Sequence, residues 1–198
     1  MLDKSIIYTN LTQITKNQIH EIKILNSVTS TNDILLDEIK SSPQKIIALF
    51  AEEQTHGRGR LGRTWISPPN TNIYLSLSWH FQKPVSQLSK LSVMIAKIII
   101  RALKNVGITH PIEIKHPNDL IYKNKKLGGI LIETINLQAQ SCSAVIGIGL
   151  NVNFSAENND KIDQPWTSLS QITHTQHDRN LISAHLLNAL CETLNATY

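Results

Sequence analysis

Three arginines and three glycines interleave in one short stretch, Gln54-Thr55-His56-Gly57-Arg58-Gly59-Arg60-Leu61-Gly62-Arg63. Glycine lets a backbone come close to a ligand and turn where other residues cannot. Arginine supplies a permanently charged planar fork that fits carboxylate and phosphate. Together they describe an anion-binding loop. It lacks the Gly-Lys-Ser/Thr ending of a Walker A loop and the Gly-x-Gly-x-x-Gly spacing of a dinucleotide fingerprint. The plainer readings are a flexible basic loop, or an Arg-Gly segment that contacts RNA.

Other segments add weaker signals. In Lys115-His116-Pro117-Asn118-Asp119 a proline stops an apolar strand and presents Asn118 and Asp119 at its end. A lysine beside that pair suits a phosphate and its Mg²⁺, though Pro-Asn-Asp is also ordinary turn composition. Lys126-Leu127-Gly128-Gly129-Ile130-Leu131 puts a lysine at the head of a strand, with glycines that allow close approach. Ile146-Gly147-Ile148-Gly149-Leu150-Asn151 reads as a strand that presents Asn151. His174 and His177 have the spacing of a metal pair but no further ligands follow, so they read as a polar loop.

The elements that must position these residues follow from periodicity. Short apolar runs at 22–28 and 46–51 read as strands, and between them Ile34, Leu35 and Ile39 mark a helix over 32–40. Ser30 or Thr31 can cap it. Ile73, Leu75, Leu77, Trp79 and Phe81 alternate, which predicts a half-buried strand over 73–81. Leu88, Leu91, Ile95, Ile98, Ile99, Ala102 and Leu103 stripe a helix over 87–105 that stops at Gly107. A strand over 112–115 follows, then a hairpin of 120–122 and 126–135 turned at 123–125. A strand over 141–152 and a helix over 181–194, with Leu186, Leu187, Leu190 and Leu194, complete the pattern. The segment 157–180 reads as polar and irregular. The sum is an α+β fold: a mixed sheet with helices on one face.

Bulk properties exclude several classes. At 198 residues with 41% hydrophobic content the chain suits one domain. It has no run of eighteen apolar residues, which argues against a transmembrane helix, and its first residues are not those of a secretory signal. Two cysteines without metal spacing suit a reduced cytoplasm. A net charge of +4 and 5% aromatic residues speak against RNA. The positive charge concentrates in Arg58, Arg60 and Arg63, and in Lys123, Lys125 and Lys126.

In their order these segments resemble the catalytic domain of biotin protein ligases, also called biotin–[acetyl-CoA-carboxylase] ligases. The resemblance rests on Ser30-Thr31-Asn32, Gln54 with the Gly-Arg-Gly-Arg run as far as Trp65, Lys115-x-Pro117-Asn118-Asp119, Lys126-Leu127-x-Gly129-Ile130-Leu131 and Gly147-Ile148-Gly149-Leu150-Asn151, over about residues 25–154. A weaker match is Trp166-Thr167-Ser168-Leu169. It implies one catalytic domain over 1–198 with a mostly antiparallel sheet. It also implies a cytoplasmic enzyme that uses ATP and Mg²⁺ to make biotinyl-5′-AMP. The biotin is then transferred to a lysine of a biotin carboxyl carrier protein.

By the same resemblance Ser30, Thr31, Asn32 and Gln54 hold the ureido ring of biotin. Arg58, Gly59, Arg60 and Lys126 hold its carboxylate and the adenylate phosphate. Arg63 and Lys115, with Asn118 beside them, meet the ATP phosphates. Asn151 and Trp166 lie near the adenosine. Asp119 serves Mg²⁺ or positions the acceptor lysine, and Arg60, Lys115, Asp119 and Lys126 form the catalytic set.

Three departures stand out. His116 replaces a tryptophan usual in the family. About two dozen residues precede the first strand, too few for a winged helix-turn-helix, so no DNA operator is expected. No SH3-like C-terminal domain is expected. A monomer or homodimer is expected. The alternatives are a lipoate ligase or octanoyltransferase of the same fold, whose Arg-Arg-x-Ser-Gly-Gly-Gly run is missing, and a degenerate biotin- or RNA-binding module.

Overall fold

The computed structural model describes residues 1–135, 138–155, 162 and 164–197. Seven strands form one sheet: β1 (Glu21–Val28), β2 (Ile47–Gln54), β3 (Ile73–Phe81), β4 (Glu113–Lys115), β5 (Asp119–Tyr122), β6 (Lys125–Ile135) and β7 (Cys142–Leu150). Their order is β1-β2-β3-β7-β6-β5-β4. Only β1 and β2 run parallel, because helix α3 (Thr31–Ser41) carries the chain across between them. Every other pair is antiparallel. The mixed, mostly antiparallel α+β sheet is therefore as the sequence predicts.

The helix placement differs in one respect. Alternate residues of β2 and β7 point to opposite faces. Ala48, Phe50, Ala144 and Ile146 join the main core, with α4 (Leu91–Asn105) and α6 (Arg179–Thr197). Ile47, Leu49 and Val145 join a second cluster with Leu35 and Ile39 of α3. Helices thus cover both faces rather than one. For the same reason β3 is buried on both sides, not half-buried: its apolar residues face the main core, while Tyr74, Ser76 and Ser78 lie on the α3 side.

α4 follows its predicted stripe and ends as the sequence requires. Gly107 has φ +84°, Ile108 N donates to Leu103 O, and Gly107 N donates to Lys104 O. The β5–β6 hairpin turns through Lys123 and Asn124, both at positive φ, which two-residue hairpin turns demand.

α6 is longer than its apolar set implied and is buried on most sides. Two short helices pack on it, α1 (Lys4–Thr9) and α2 (Gln13–Gln18). Six residues are too few to show a helical period, so both escaped the periodicity reading. Their caps, Asp3 and Thr12, do carry the usual signal. Asn180 and Asn188 of α6 accept from Asp3 N and Thr12 N and so pin both caps. The segment read as irregular holds a short helix, α5 (Leu169–Thr173), and the start of α6; residues 157–161 and 163 lie outside the described residues.

Candidate active site

α3 covers only part of its face of the sheet. Beyond its N-terminus the sheet is floored by small residues, Ser76 on β3 opposite Gly147, and Gly149 opposite Gly129. The missing side chains let Asn32 and Trp65 lie directly on these strands: a Cβ at Gly147 would collide with the Asn32 side chain, and one at Gly149 would run into the Trp65 ring. Asn32 and Trp65 line a cavity of about 880 Å³. Every candidate residue from the sequence lines it: Ser30, Thr31, Asn32, Gln54, Arg58, Gly59, Arg60, Arg63, Lys115, Asn118, Asp119, Lys126, Asn151 and Trp166.

One end of the cavity is polar, buried and internally bonded. Ser30 caps α3 by accepting from Asp33 N. Thr31 donates twice to Gln54 Oε1, from its N–H at 2.9 Å and its hydroxyl at 3.0 Å. Gln54 Nε2 in turn donates to Ser67 Oγ at 2.9 Å. Ser76 Oγ donates to Asn32 Oδ1 at 2.6 Å and lies 2.8 Å from Thr31 Oγ1. Asn32 Nδ2 donates to Glu133 at 2.8 Å. Bonds of this kind hold the amides in one orientation before any ligand arrives.

The other end carries the cations. Lys126 Nζ stands 3.0 Å from Asp119 Oδ1 and 5.3 Å from the centre of the Trp65 ring. Arg60 Nη1 donates to Asn118 Oδ1 at 3.2 Å, and Asn118 Nδ2 ties the turn to Ile130 O of β6. Lys115 and Arg63 are exposed at the mouth. Arg58 sits differently: Nη2 is 2.5 Å from Asp33 and 2.7 Å from Glu133. Burial works against its charge, but Glu133 and then Asp33 more than restore it, so the guanidinium titrates above its ordinary value.

The far wall returns through 164–169. Lys126 N donates to Pro165 O and Thr167 N to Lys126 O, which places Trp166 beside β6 and 4.5 Å from the Phe154 ring. Asn151 lines the cavity, but its Nδ2 is spent on Thr167 O at 3.0 Å. Its side chain therefore holds the Trp166 loop in place. His177 Nε2 is bonded to Thr173 Oγ1 at 2.7 Å. Among the described residues no group of three or more His, Cys, Asp or Glu could hold a metal ion.

Three residues at the site escaped the sequence reading: Ser76, Asp33 and Glu133. Ser76 was visible as a polar residue in an apolar strand. Nothing local distinguishes Asp33 or Glu133, since their importance comes from register and from the position of α3.

One cavity thus brings together small sheet residues, the amide side chains of Asn32 and Gln54, and basic side chains at its mouth. Residues 24–151 match the Biotin/lipoate A/B protein ligase family, and the chain belongs to it. It is 35% identical to the bifunctional ligase/repressor BirA of Salmonella typhimurium over 172 residues, which are 85% of this chain and 52% of that one. The chain thus spans about half the length of such curated relatives. Among solved structures it resembles the biotin protein ligase of Aquifex aeolicus in complex with biotin and ATP. The TM-score there is 0.71 at 30% identity, over 89% of this chain and 71% of that one. It also resembles the Leishmania major biotin protein ligase in complex with biotinyl-5-AMP, with a TM-score of 0.68 at 28% identity, over 88% of this chain and 76% of that one.

Proposed function

We propose that this chain is a biotin protein ligase catalytic unit, a biotin–[acetyl-CoA-carboxylase] ligase acting as one domain over 1–198. The observation that carries the reading is one cavity that joins an amide-rich end to a basic end. The buried amide of Asn32 and the half-buried one of Gln54, with Ser30 and Thr31, suit a ureido ring, which offers both donors and an acceptor. The Trp65 ring on the cavity wall suits an apolar bicyclic body. The basic end suits a carboxylate beside phosphates.

In the first step an oxygen of the biotin carboxylate attacks the α-phosphorus of ATP. The new bond is C(O)O–P, and the bond to pyrophosphate breaks. Negative charge gathers on phosphate oxygens, so fixed cations in a water-poor cleft are the effective tool. Lys126 and Arg60 take that role in this reading, and Lys115 and Arg63, exposed at the mouth, meet the outgoing pyrophosphate. In the second step a carrier-domain lysine amine attacks the acyl carbon, AMP leaves with the bonding pair, and the nitrogen gives up a proton to solvent. Trp166 and the strand end at Asn151 form the nucleotide-side wall.

Mg²⁺ is a different matter. Asp119 is the carboxylate of the cavity wall and it is engaged by Lys126. The described residues do not make a magnesium cage. Mg²⁺ then enters as the counter-ion of the ATP phosphates. The proposed setting is the cytoplasm, where biotin, ATP and the biotin carboxyl carrier protein meet. Among the described residues no helix is long and apolar enough to cross a membrane.

The test is transfer. The protein, ATP, Mg²⁺ and a carboxylase carrier domain are incubated with biotin, lipoate or octanoate, and the carrier mass is read. A biotin-sized increment on one lysine is expected. Equal transfer of lipoate or octanoate would move the chain to the lipoate branch of its family.

A further inference from the structure

The Gly-Arg loop is not uniform along its length. Its base is a narrow ladder: Gln54 N bonds Ser67 O at 3.3 Å, Trp65 N bonds Gly57 O at 2.8 Å, and Gly59 N bonds Arg63 O at 2.6 Å. Beyond the last rung only a short turn remains, Arg60–Gly62. Leu61 at its tip is 90% exposed with φ +57°, and Gly62 follows at φ +73°.

The three arginines divide in the same way. Arg58 lies on the ladder opposite Thr64. Two carboxylates from two other elements reach it, Asp33 in the first turn of α3 and Glu133 on β6. The Glu133 oxygen that receives Arg58 also receives Asn32 Nδ2. One cation with two anions carries net negative charge, so Arg58 is a poor receptor for a further anion. Arg60 meets only the neutral side chain of Asn118 among the bonds described.

We infer that Asp33 and Glu133 form a carboxylate latch on Arg58, which makes Arg58 a positioning residue rather than a ligand for substrate anions and confines ligand-driven closure to the tip that carries Arg60 and Arg63. The latch also couples the loop to Asn32, because one Glu133 oxygen holds both. This inference deepens the ligase reading and rests on it for the identity of the anion. The latch itself does not depend on substrate.

Trypsin reads the division directly, because it can cut after each of the three arginines and mass spectrometry tells the cuts apart. In the ligand-free protein, cleavage after Arg60 and Arg63 should exceed cleavage after Arg58. Ion pairs this exposed are worth up to about 1 kcal/mol, so Asp33→Asn or Glu133→Gln should each speed cleavage after Arg58 by up to roughly fivefold. The pair of changes should do more, and Glu133→Asp should restore part of the protection. In biotin-dependent pyrophosphate exchange, Glu133→Met should raise KM for biotin more than it lowers kcat. Adding Arg58→Met to it should change little further, since both act through one latch. Equal wild-type cleavage at all three arginines, or Arg58 cleavage indifferent to both carboxylate variants, would overturn the latch. So would fully additive losses in the double variant. A wild-type protein that shows the cleavage pattern but no exchange would support the latch and sink the ligase reading alone.

Discussion

Lys126 Nζ stands 3.0 Å from Asp119 Oδ1, with only 18% and 22% of the two side chains exposed. A half-buried ammonium beside a carboxylate is held in place. The pair belongs to the basic end of the cavity, where the proposed reaction would bring the biotin carboxylate and the α-phosphate together. Lys126→Ala should lower the rate of adenylate formation by about 10²–10³, the usual effect of removing one fixed donor from developing charge. Biotin binding should weaken far less. Quenched-flow measurement of biotinyl-5′-AMP checks this, and formation at the parent rate would remove Lys126 from the catalytic set.

Gly149 lies beneath Trp65, and even a methyl group there would run into the ring. Gly149→Ala should move Trp65 off the floor, raise KM for biotin and shift the tryptophan emission. The chain has three tryptophans, of which Trp79 is buried in the main core. Trp79 should therefore report little, and an unchanged spectrum together with unchanged KM would place Trp65 elsewhere.

The site shows which features are visible in a sequence. The loop around Arg58 and Arg60, the turn at Asn118, Lys126 and the Gly147–Gly149 floor announce themselves because each motif is local. Their convergence follows from strands already marked by alternation. Asp33 and Glu133 were not legible, because their partner Arg58 is reached only when β6 pairs with β7 in one register and α3 crosses on the far face. That crossing was misread too: Leu35 and Ile39 show that α3 has an apolar side, but not which face of the sheet receives it. Asn151 was legible as presented at a strand end, yet its amide turns to the Trp166 loop.

Glu52 and Arg179 form a pair deep in the fold, 2.6 Å apart and about 3% and 6% exposed at the side chain. Glu52 also accepts from Leu2 N, and Arg179 donates to Asn72 O at 3.0 Å. Removing one partner leaves a buried charge without compensation. Arg179→Met should destabilise the protein by about 3–5 kcal/mol, while Arg179→Met with Glu52→Leu should recover much of the loss. Urea unfolding of the three proteins checks this. Equal losses in the single and double variants would show that the pair itself contributes the stability.

His177 is partly buried at the end of the 164–177 segment, and burial lowers its pKa below the ordinary 6.5. The folded state then prefers the neutral ring. Its contribution is complete above pH 6.5 and is lost as pH falls through the lowered folded value. Stability should decline over that acid window, and less steeply in His177→Gln. Parallel curves for the two proteins would remove His177 as a source of the decline.

The proposed activation of biotin with ATP yields an adenylate and pyrophosphate in a step that runs in both directions. The most direct measurement is exchange of labelled pyrophosphate into ATP, run with and without biotin and with lipoate and octanoate in its place. Exchange that requires biotin and falls sharply in Lys126→Ala is the predicted result. No exchange from a folded protein, or equal exchange with all three acids, would contradict it.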